Sequence, residues 1–322
     1  MPDVLRAGVA SNAREYSILL SQYRNAATAI ADEISDDSGR KAYAESFCYV
    51  ALAKIWDLRV RQSRPDWHLP EWKSNGRTLD ADASQQAEGA ALLLARLDPA
   101  LSGYFLGTIY TSLLPSAIRS AWGIFYTPPP LVERLLSNIT NAGVDWTAAR
   151  IIDPACGGAA FLAPVAVRVW QALSRRGTPP RAILDHIAAN LTGVEIDPFA
   201  AWMSQALTEI RLFGLMMAAG RRLPGIVRKA DALSTLATEH PSYDLVVGNP
   251  PYGKVRLSAT SRLIFSRSLY GHPNLYGLFT DLLYVFRPTE VSLDLSLRPH
   301  FCRANTSKHC ETFFAPKRHL SP

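Results

Sequence analysis

Four short segments combine residue types that could do chemistry. Tyr243-Asp244-Leu245-Val246-Val247-Gly248-Asn249-Pro250-Pro251-Tyr252-Gly253 ends an apolar run on an amide, two prolines and an aromatic ring. Two prolines lock the backbone and remove two donors, so carbonyls and the Asn249 side chain can face a substrate as fixed acceptors. Ile151-Ile152-Asp153-Pro154-Ala155-Cys156-Gly157-Gly158-Ala159-Ala160-Phe161-Leu162 leads from a β-branched run through small residues into a helical stretch. Small residues let a ligand touch the backbone, and a helix N-terminus offers unpaired N–H groups to a carboxylate; a tight strand-to-helix turn without ligand reads equally well. Gly193-Val194-Glu195-Ile196-Asp197-Pro198 closes another strand on an acid. Glu195 could accept both hydroxyls of a ribose, or stand as an exposed cap of the following helix. In Lys229-Ala230-Asp231-Ala232-Leu233, Asp231 could accept from an adenine amino group or cap a helix starting at Ala232.

The elements that must position these residues fall into two textures. From Asn12 to about Leu114 apolar residues recur at helical spacing, as in Tyr49, Leu52, Ile55, Trp56 and Val60 and in Ala91, Leu92, Leu93 and Leu97. Arg64 to Asp82, rich in Pro, Asp, Ser, Asn and Gly, has no period and reads as a loop between two helical groups. From Gly123 onward short β-branched runs (Arg150 to Ile152, Leu191 to Ile196, Asp244 to Gly248) alternate with helical stretches. That alternation predicts a parallel α/β sheet whose ligands bind beyond the carboxyl ends of its strands. Helices are expected over Leu131 to Asn138 and Phe161 to Arg175, and the long gap before Glu195 requires an extra helix within Arg175 to Asn190.

With 322 residues, 48% hydrophobic and 19% charged, the chain excludes intrinsic disorder and is long enough for more than one core. The N-terminus has no apolar signal-like stretch and no apolar run approaches the roughly 20 residues of a membrane span, so a cytoplasmic protein is expected. Its 4 cysteines are too scattered for a disulfide framework. A net charge of +6 permits an anionic partner such as nucleic acid, although about half of that excess follows Phe286. No metal is expected: Cys302, His309 and Cys310 fit no usual zinc spacing.

In this order the four segments resemble the S-adenosylmethionine-dependent amino-methyltransferases of DNA, in the gamma group, whose cofactor motif precedes the catalytic one, and of the NPPY type. Upstream, Gly123-Ile124-Phe125-Tyr126-Thr127-Pro128 looks like that group's additional cofactor motif, and the helical N-terminal part is similar to the region preceding the catalytic domain in restriction-modification adenine methylases. The resemblance implies a Rossmann-like methyltransferase sheet and transfer of a methyl group from S-adenosyl-L-methionine to N6 of adenine in DNA. It assigns Asn249, Pro250, Pro251 and Tyr252 to catalysis, with Tyr252 stacking on a base flipped out of the duplex. It assigns Phe125, Tyr126, Thr127, Asp153, Pro154, Ala155, Cys156, Gly157, Glu195, Ile196, Asp231, Ala232 and Asn249 to the cofactor: the Asp153 turn to its methionine part, Glu195 to the ribose, Asp231 to the adenine. Protein-glutamine or RNA methyl transfer, or a non-catalytic fragment, are the alternatives. The implied partners are DNA and separate specificity or nuclease subunits, with no membrane. The family's turn usually reads Asp-Pro-Ala-Cys-Gly-Ser-Gly; its last two places here are Gly158 and Ala159, and a positive φ at 159 would cost alanine about 1 kcal/mol.

The expected organisation is a helical region over 1–115, an incomplete methyltransferase domain over 116–286 and an aberrant, irregular tail over 287–322. After Asn274 to Leu282, similar to the family's next helix, the pattern breaks. Back-translation of the tail in another frame permits a family-like continuation, so a frame slip between about Leu283 and Pro288, with truncation and impaired activity, is expected.

Overall fold

The computed structural model describes residues 3–72, 78–122, 126–239, 243–253, 255, 257, 259–266, 274–279 and 290–291, with only the backbone of 3–15, 120–122, 236–239, 259–261 and 290–291. Helices α1 (Asp3–Asp32), α2 (Asp37–Trp56), α3 (Ala81–Leu94), α4 (Pro99–Leu113) and α5 (Ser116–Trp122) come first. Aspartates start three of them: Asp36 accepts from Gly39 N at 2.6 Å, Asp80 from Ala83 N at 2.8 Å and Asp98 from Ala100 N at 2.8 Å. Each satisfies an N–H that the first helical turn leaves unpaired. The expected apolar face of α2 is real, with Leu52, Ile55 and Trp56 wholly buried, and a single wider turn over Asp57–Arg61 carries Val60 into the same core. In α3 the buried face is Ala83, Ala87, Ala90, Ala91 and Leu94, spaced by four, three, one and three residues, so Leu92 points outward at 46% exposure.

The second part alternates as expected: α6 (Pro129–Asn141), β1 (Ile151–Asp153), α7 (Leu162–Arg175), α8 (Pro180–Asn190), β2 (Leu191–Glu195), α9 (Pro198–Arg211), α10 (Phe213–Ala219), β3 (Val227–Lys229), α11 (Ala232–Glu239), β4 (Leu245–Val246) and α12 (Ala259–Ile264). α8 is the extra helix that the long gap before Glu195 requires. One departure falls in the stretch read as irregular, where Glu290–Val291 forms a short edge strand, β5, parallel to Leu245 and Val246 of β4. The suspected frame slip and Cys302, His309 and Cys310 lie outside the described residues.

All pairings are parallel, in the order β3-β2-β1-β4-β5. The chain winds outward from β1 through β2 to β3, then returns to the other side of β1 with β4. Loops that diverge from neighbouring strands in this way open a crevice at their carboxyl ends. Side chains alternate across the sheet: Ile151, Leu191 and Leu245 join a core that runs unbroken from Leu20, Phe47 and Leu106 of the N-terminal helices, while Ile152, Val194 and Val246 pack with Phe265, Leu278 and Phe279 on the opposite face. Among the described residues no helix is long and apolar enough to cross a membrane.

α4 approaches the sheet edge through Tyr126, whose ring occupies a slot between α4 and the turn after β1. A Cβ at Gly107 would lie 2.2 Å from Tyr126 Cε1, and one at Gly158 2.3 Å from the same atom. Helix propensity alone favours Gly107→Ala by about 1 kcal/mol. The close approach reverses the sign, and Gly107→Ala is expected to destabilise by about 1–3 kcal/mol in urea unfolding, the usual cost of overpacking.

Candidate active site

A cleft of about 1040 Å³, open mouth included, lies beyond the carboxyl ends of β1, β2, β3 and β4. Its base is the turn from Asp153 to Phe161, its sides Glu195 to Asp197 and Ala230 to Leu233, and its far edge Asn249, Pro251, Leu275 and Phe279; Tyr110, Tyr126 and Thr127 close it from the helical side. Of the residues read from sequence as cofactor contacts, Tyr126, Thr127, Asp153, Pro154, Ala155, Cys156, Gly157, Glu195, Ile196, Asp231, Ala232 and Asn249 all border this one space. Phe125 lies outside the described residues.

Glu195 is held from two sides. Its Oε2 accepts from Gly157 N and its Oε1 from Asp197 N, each at 2.9 Å, so one carboxylate joins the end of β2 to the turn after β1. Burial raises its proton affinity, and the two N–H donors work against that rise. The exposed-cap alternative for Glu195 is thereby corrected: the cap of α9 is Asp197, which is 1% exposed and accepts from Phe199 N. For Asp231 both readings hold at once, because its side chain borders the cleft while accepting from Leu233 N at 3.0 Å at the start of α11.

Asp153 is 1% exposed at the end of β1. Burial pushes its carboxyl up to about 8, with the charge of Glu195 adding to the rise and the Ala155 N–H opposing it. Cys156 is buried beside Ser204, and burial holds its thiol well above the usual range, disfavouring the thiolate.

The Asn-Pro-Pro-Tyr residues divide. Asn249 and Pro251 border the main cleft, whereas Pro250 is buried and, with Asn249, Asp153, Val247 and Phe279, borders a smaller adjoining space. Tyr252 stands just outside the cleft lining. Its hydroxyl donates to Asn249 Oδ1 at 3.2 Å, and its ring lies parallel to that of Tyr276, 5.6 Å between centroids and 5° between planes.

Sequence reasoning missed a polar cluster behind Glu195. Asp197 Oδ2 accepts from the Tyr110 hydroxyl at 2.5 Å and its Oδ1 meets Lys41 Nζ at 3.2 Å. Asp197 was visible in the Glu195 segment, and an acid directly before a proline is a helix-start signal; its partners lie on α2 and α4 and carry no local mark. The Tyr126 hydroxyl is buried without a hydrogen-bond partner among the described residues. Among the described residues no cluster of side chains suits a metal ion.

Two outcomes follow from the turn. Ala159 has φ +64° and is 3% exposed, a left-handed conformation that costs an L-residue about 1–2 kcal/mol. Ala159→Gly gives up at most about 0.8 kcal/mol of methyl burial, so the variant should unfold at higher urea, more stable by about 0.5 kcal/mol. Asp153 keeps its proton in the folded chain to about pH 8 but loses it near 3.8 when unfolded. Its contribution to stability is full below pH 3.8 and is lost as pH rises through 8; Asp153→Asn should flatten that slope in melting curves taken from pH 5 to 9.

A family model described as N-6 DNA Methylase matches residues 102–265, just over half of the chain. The type II methyltransferase M.BstVI of Geobacillus stearothermophilus is 30% identical over 146 residues, 42% of this chain and 25% of that protein. Among solved structures, the DrdV–DNA complex aligns with a TM-score of 0.52 at 13% identity, over 89% of this chain and 35% of that one. The ATP-dependent type ISP restriction-modification enzyme LlaBIII, bound to DNA, aligns with a TM-score of 0.52 at 10% identity, over 87% of this chain and 24% of that one. At such identities these two show a shared fold, and the chain spans about a quarter to a third of the length of these relatives. The α/β sheet, the crevice at its carboxyl edge and the family match agree: the chain belongs to the N-6 DNA Methylase family.

Proposed function

We propose that this chain transfers a methyl group from S-adenosyl-L-methionine to N6 of adenine in DNA, with residues 1–115 as a helical region and 116–286 as an incomplete methyltransferase domain, to whose sheet the strand Glu290–Val291 adds. The observation that carries the reading is that Asn249, the one fixed amide, shares a cleft with the carboxylates of Asp153, Glu195 and Asp231.

The donor set fits the cofactor. Each Glu195 oxygen uses one lone pair on a backbone N–H and keeps another for a ribose hydroxyl. Asp231 reaches the rim where an adenine amino group can be held, and the small residues Ala155 to Gly158 leave backbone exposed to the methionine part. A ligand carrying positive charge favours the ionised form of Asp153, which burial alone disfavours. Tyr126 offers a buried hydroxyl that lacks a partner among the described residues. Bound there, the cofactor supplies an activated methyl group on a sulfonium, and the protein's work is alignment.

On the substrate side, an adenine amino nitrogen is a poor nucleophile because its lone pair is spread into the ring. Asn249 through its side-chain oxygen and Pro250 through its carbonyl grip the amino hydrogens and draw the nitrogen toward a tetrahedral shape. The incoming amino group replaces the Tyr252 hydroxyl on Asn249 Oδ1, and Tyr252 then stacks on a base that has left the duplex.

With tritiated S-adenosylmethionine and duplex DNA, the product should be N6-methyladenine. Asn249→Ala should lower turnover at least about 100-fold while cofactor binding by calorimetry survives; unchanged turnover would count against these roles.

A further inference from the structure

We propose that Lys41 of α2 is a positioning residue for the cofactor carboxylate Glu195, so that the N-terminal helices complete the cofactor site. The inference rests on the cofactor reading above and extends it to a residue outside the segment matched by the family model.

The connection is a chain of short contacts. Lys41 Nζ lies 3.2 Å from Asp197 Oδ1 and 3.2 Å from Glu45 Oε1, one turn along the same helix. Glu45 is itself fixed by Trp72, whose indole N–H donates to Oε2 at 3.2 Å. The hydroxyl of Tyr110, on α4, holds the other oxygen of Asp197. The backbone N–H of Asp197 then donates to Glu195 Oε1, and Glu195 Oε2 accepts from Gly157 in the turn after β1. A charge on α2 therefore fixes the first residue of the α9 start, and that residue sets the orientation of Glu195.

Charge balance makes Lys41 the decisive member. Asp197 is 1% exposed, and burying a carboxylate costs free energy unless a cation or hydrogen-bond donors face it. Tyr110 and Phe199 N donate to it, but Lys41 supplies the positive charge. Removing that charge leaves Asp197 uncompensated next to Glu195. The segment relieves the repulsion by turning Asp197 or Glu195 toward water, and either movement misplaces the oxygens that meet the ribose hydroxyls.

The test uses the full chain, with S-adenosylmethionine affinity from calorimetry, KM and kcat on DNA, and melting temperature. Lys41→Met should raise Kd and KM for the cofactor about tenfold, with kcat changed less than about twofold. Lys41→Arg should restore most of the loss. Leu94→Ala, which opens a cavity in the helical layer at a residue outside this chain of contacts, should lower the melting temperature without changing Kd. If Lys41→Met does not fold, Tyr110→Phe, which removes one hydroxyl on the same carboxylate and no bulk, should raise Kd about threefold. Unchanged cofactor affinity in the folded Lys41 variant, or in Tyr110→Phe where it stands in, overturns the proposal. So does an equal loss in Leu94→Ala, which would make the effect merely structural. No cofactor binding by the unaltered chain would instead overturn the cofactor reading itself, and this inference with it.

Discussion

Three carboxylates crowd the carboxyl ends of β1 and β2, and the way each is kept from repelling the others organises this edge of the molecule. Asp153 is buried and retains its proton to about pH 8. Glu195 takes one backbone N–H on each oxygen. Asp197 takes a lysine, a tyrosine hydroxyl and the first free N–H of α9. Burying a charge without a partner costs several kcal/mol, so each arrangement excludes the exchange of roles among the acids. The turn after β1, the start of α9 and the inner face of α2 are joined by these carboxylates as well as by apolar packing.

The helical layer meets the sheet edge through a second constraint, the slot that holds Tyr126. Two glycines on different elements make that slot, and the ring would collide with a Cβ on either. Gly158 stands where relatives in the resembled family usually carry serine, and the position of Tyr126 gives a local cause for the missing side chain. Ala159 has no such compensation, since its left-handed backbone is the one that glycine adopts at no steric cost. The turn thus keeps the shape that its neighbours impose even where the residue resists it, consistent with a loop pinned by Glu195 at one end and by α7 at the other.

Much of this edge was legible in the sequence because each strand-end segment is local. Asp153, Glu195, Asp231 and Asn249 each sit within a few residues of an apolar run that ends in a small residue or proline, and a parallel sheet brings such endings to one side. What stayed hidden depends on distant pairs. Lys41 and Asp197 are separated by 156 positions, and a lysine on a helix reads as solvated until its partner is known. The helical spacing around Leu92 was legible, but not which side of α3 is buried, because four alanines rather than leucines fill most of that face. Of the motif around Asn249, Pro250 meets it only in the smaller adjoining space and Tyr252 lines neither space, so adjacency in sequence did not place all four residues in the main cleft.

In the proposed function, that same Asn-Pro-Pro-Tyr corner is the substrate side, and its groups are already engaged with one another. The oxygen of Asn249 is already used by the Tyr252 hydroxyl, and one face of the Tyr252 ring is already covered by Tyr276. A parallel aromatic pair contributes about 0.5–1.5 kcal/mol and a neutral hydrogen bond about 1 kcal/mol. A group that takes Asn249 must therefore return roughly as much as it displaces. A base with an exocyclic amine can do so, because it brings a flat face and a donor together. A base without the amine takes the hydroxyl off Asn249 and leaves the amide oxygen unsatisfied, a penalty of about 1–3 kcal/mol. In the proposed reaction, discrimination for an amino group then begins before any methyl group moves: Asn249 Oδ1 has a donor when the cleft is empty, and a planar amine supplies another when it is filled.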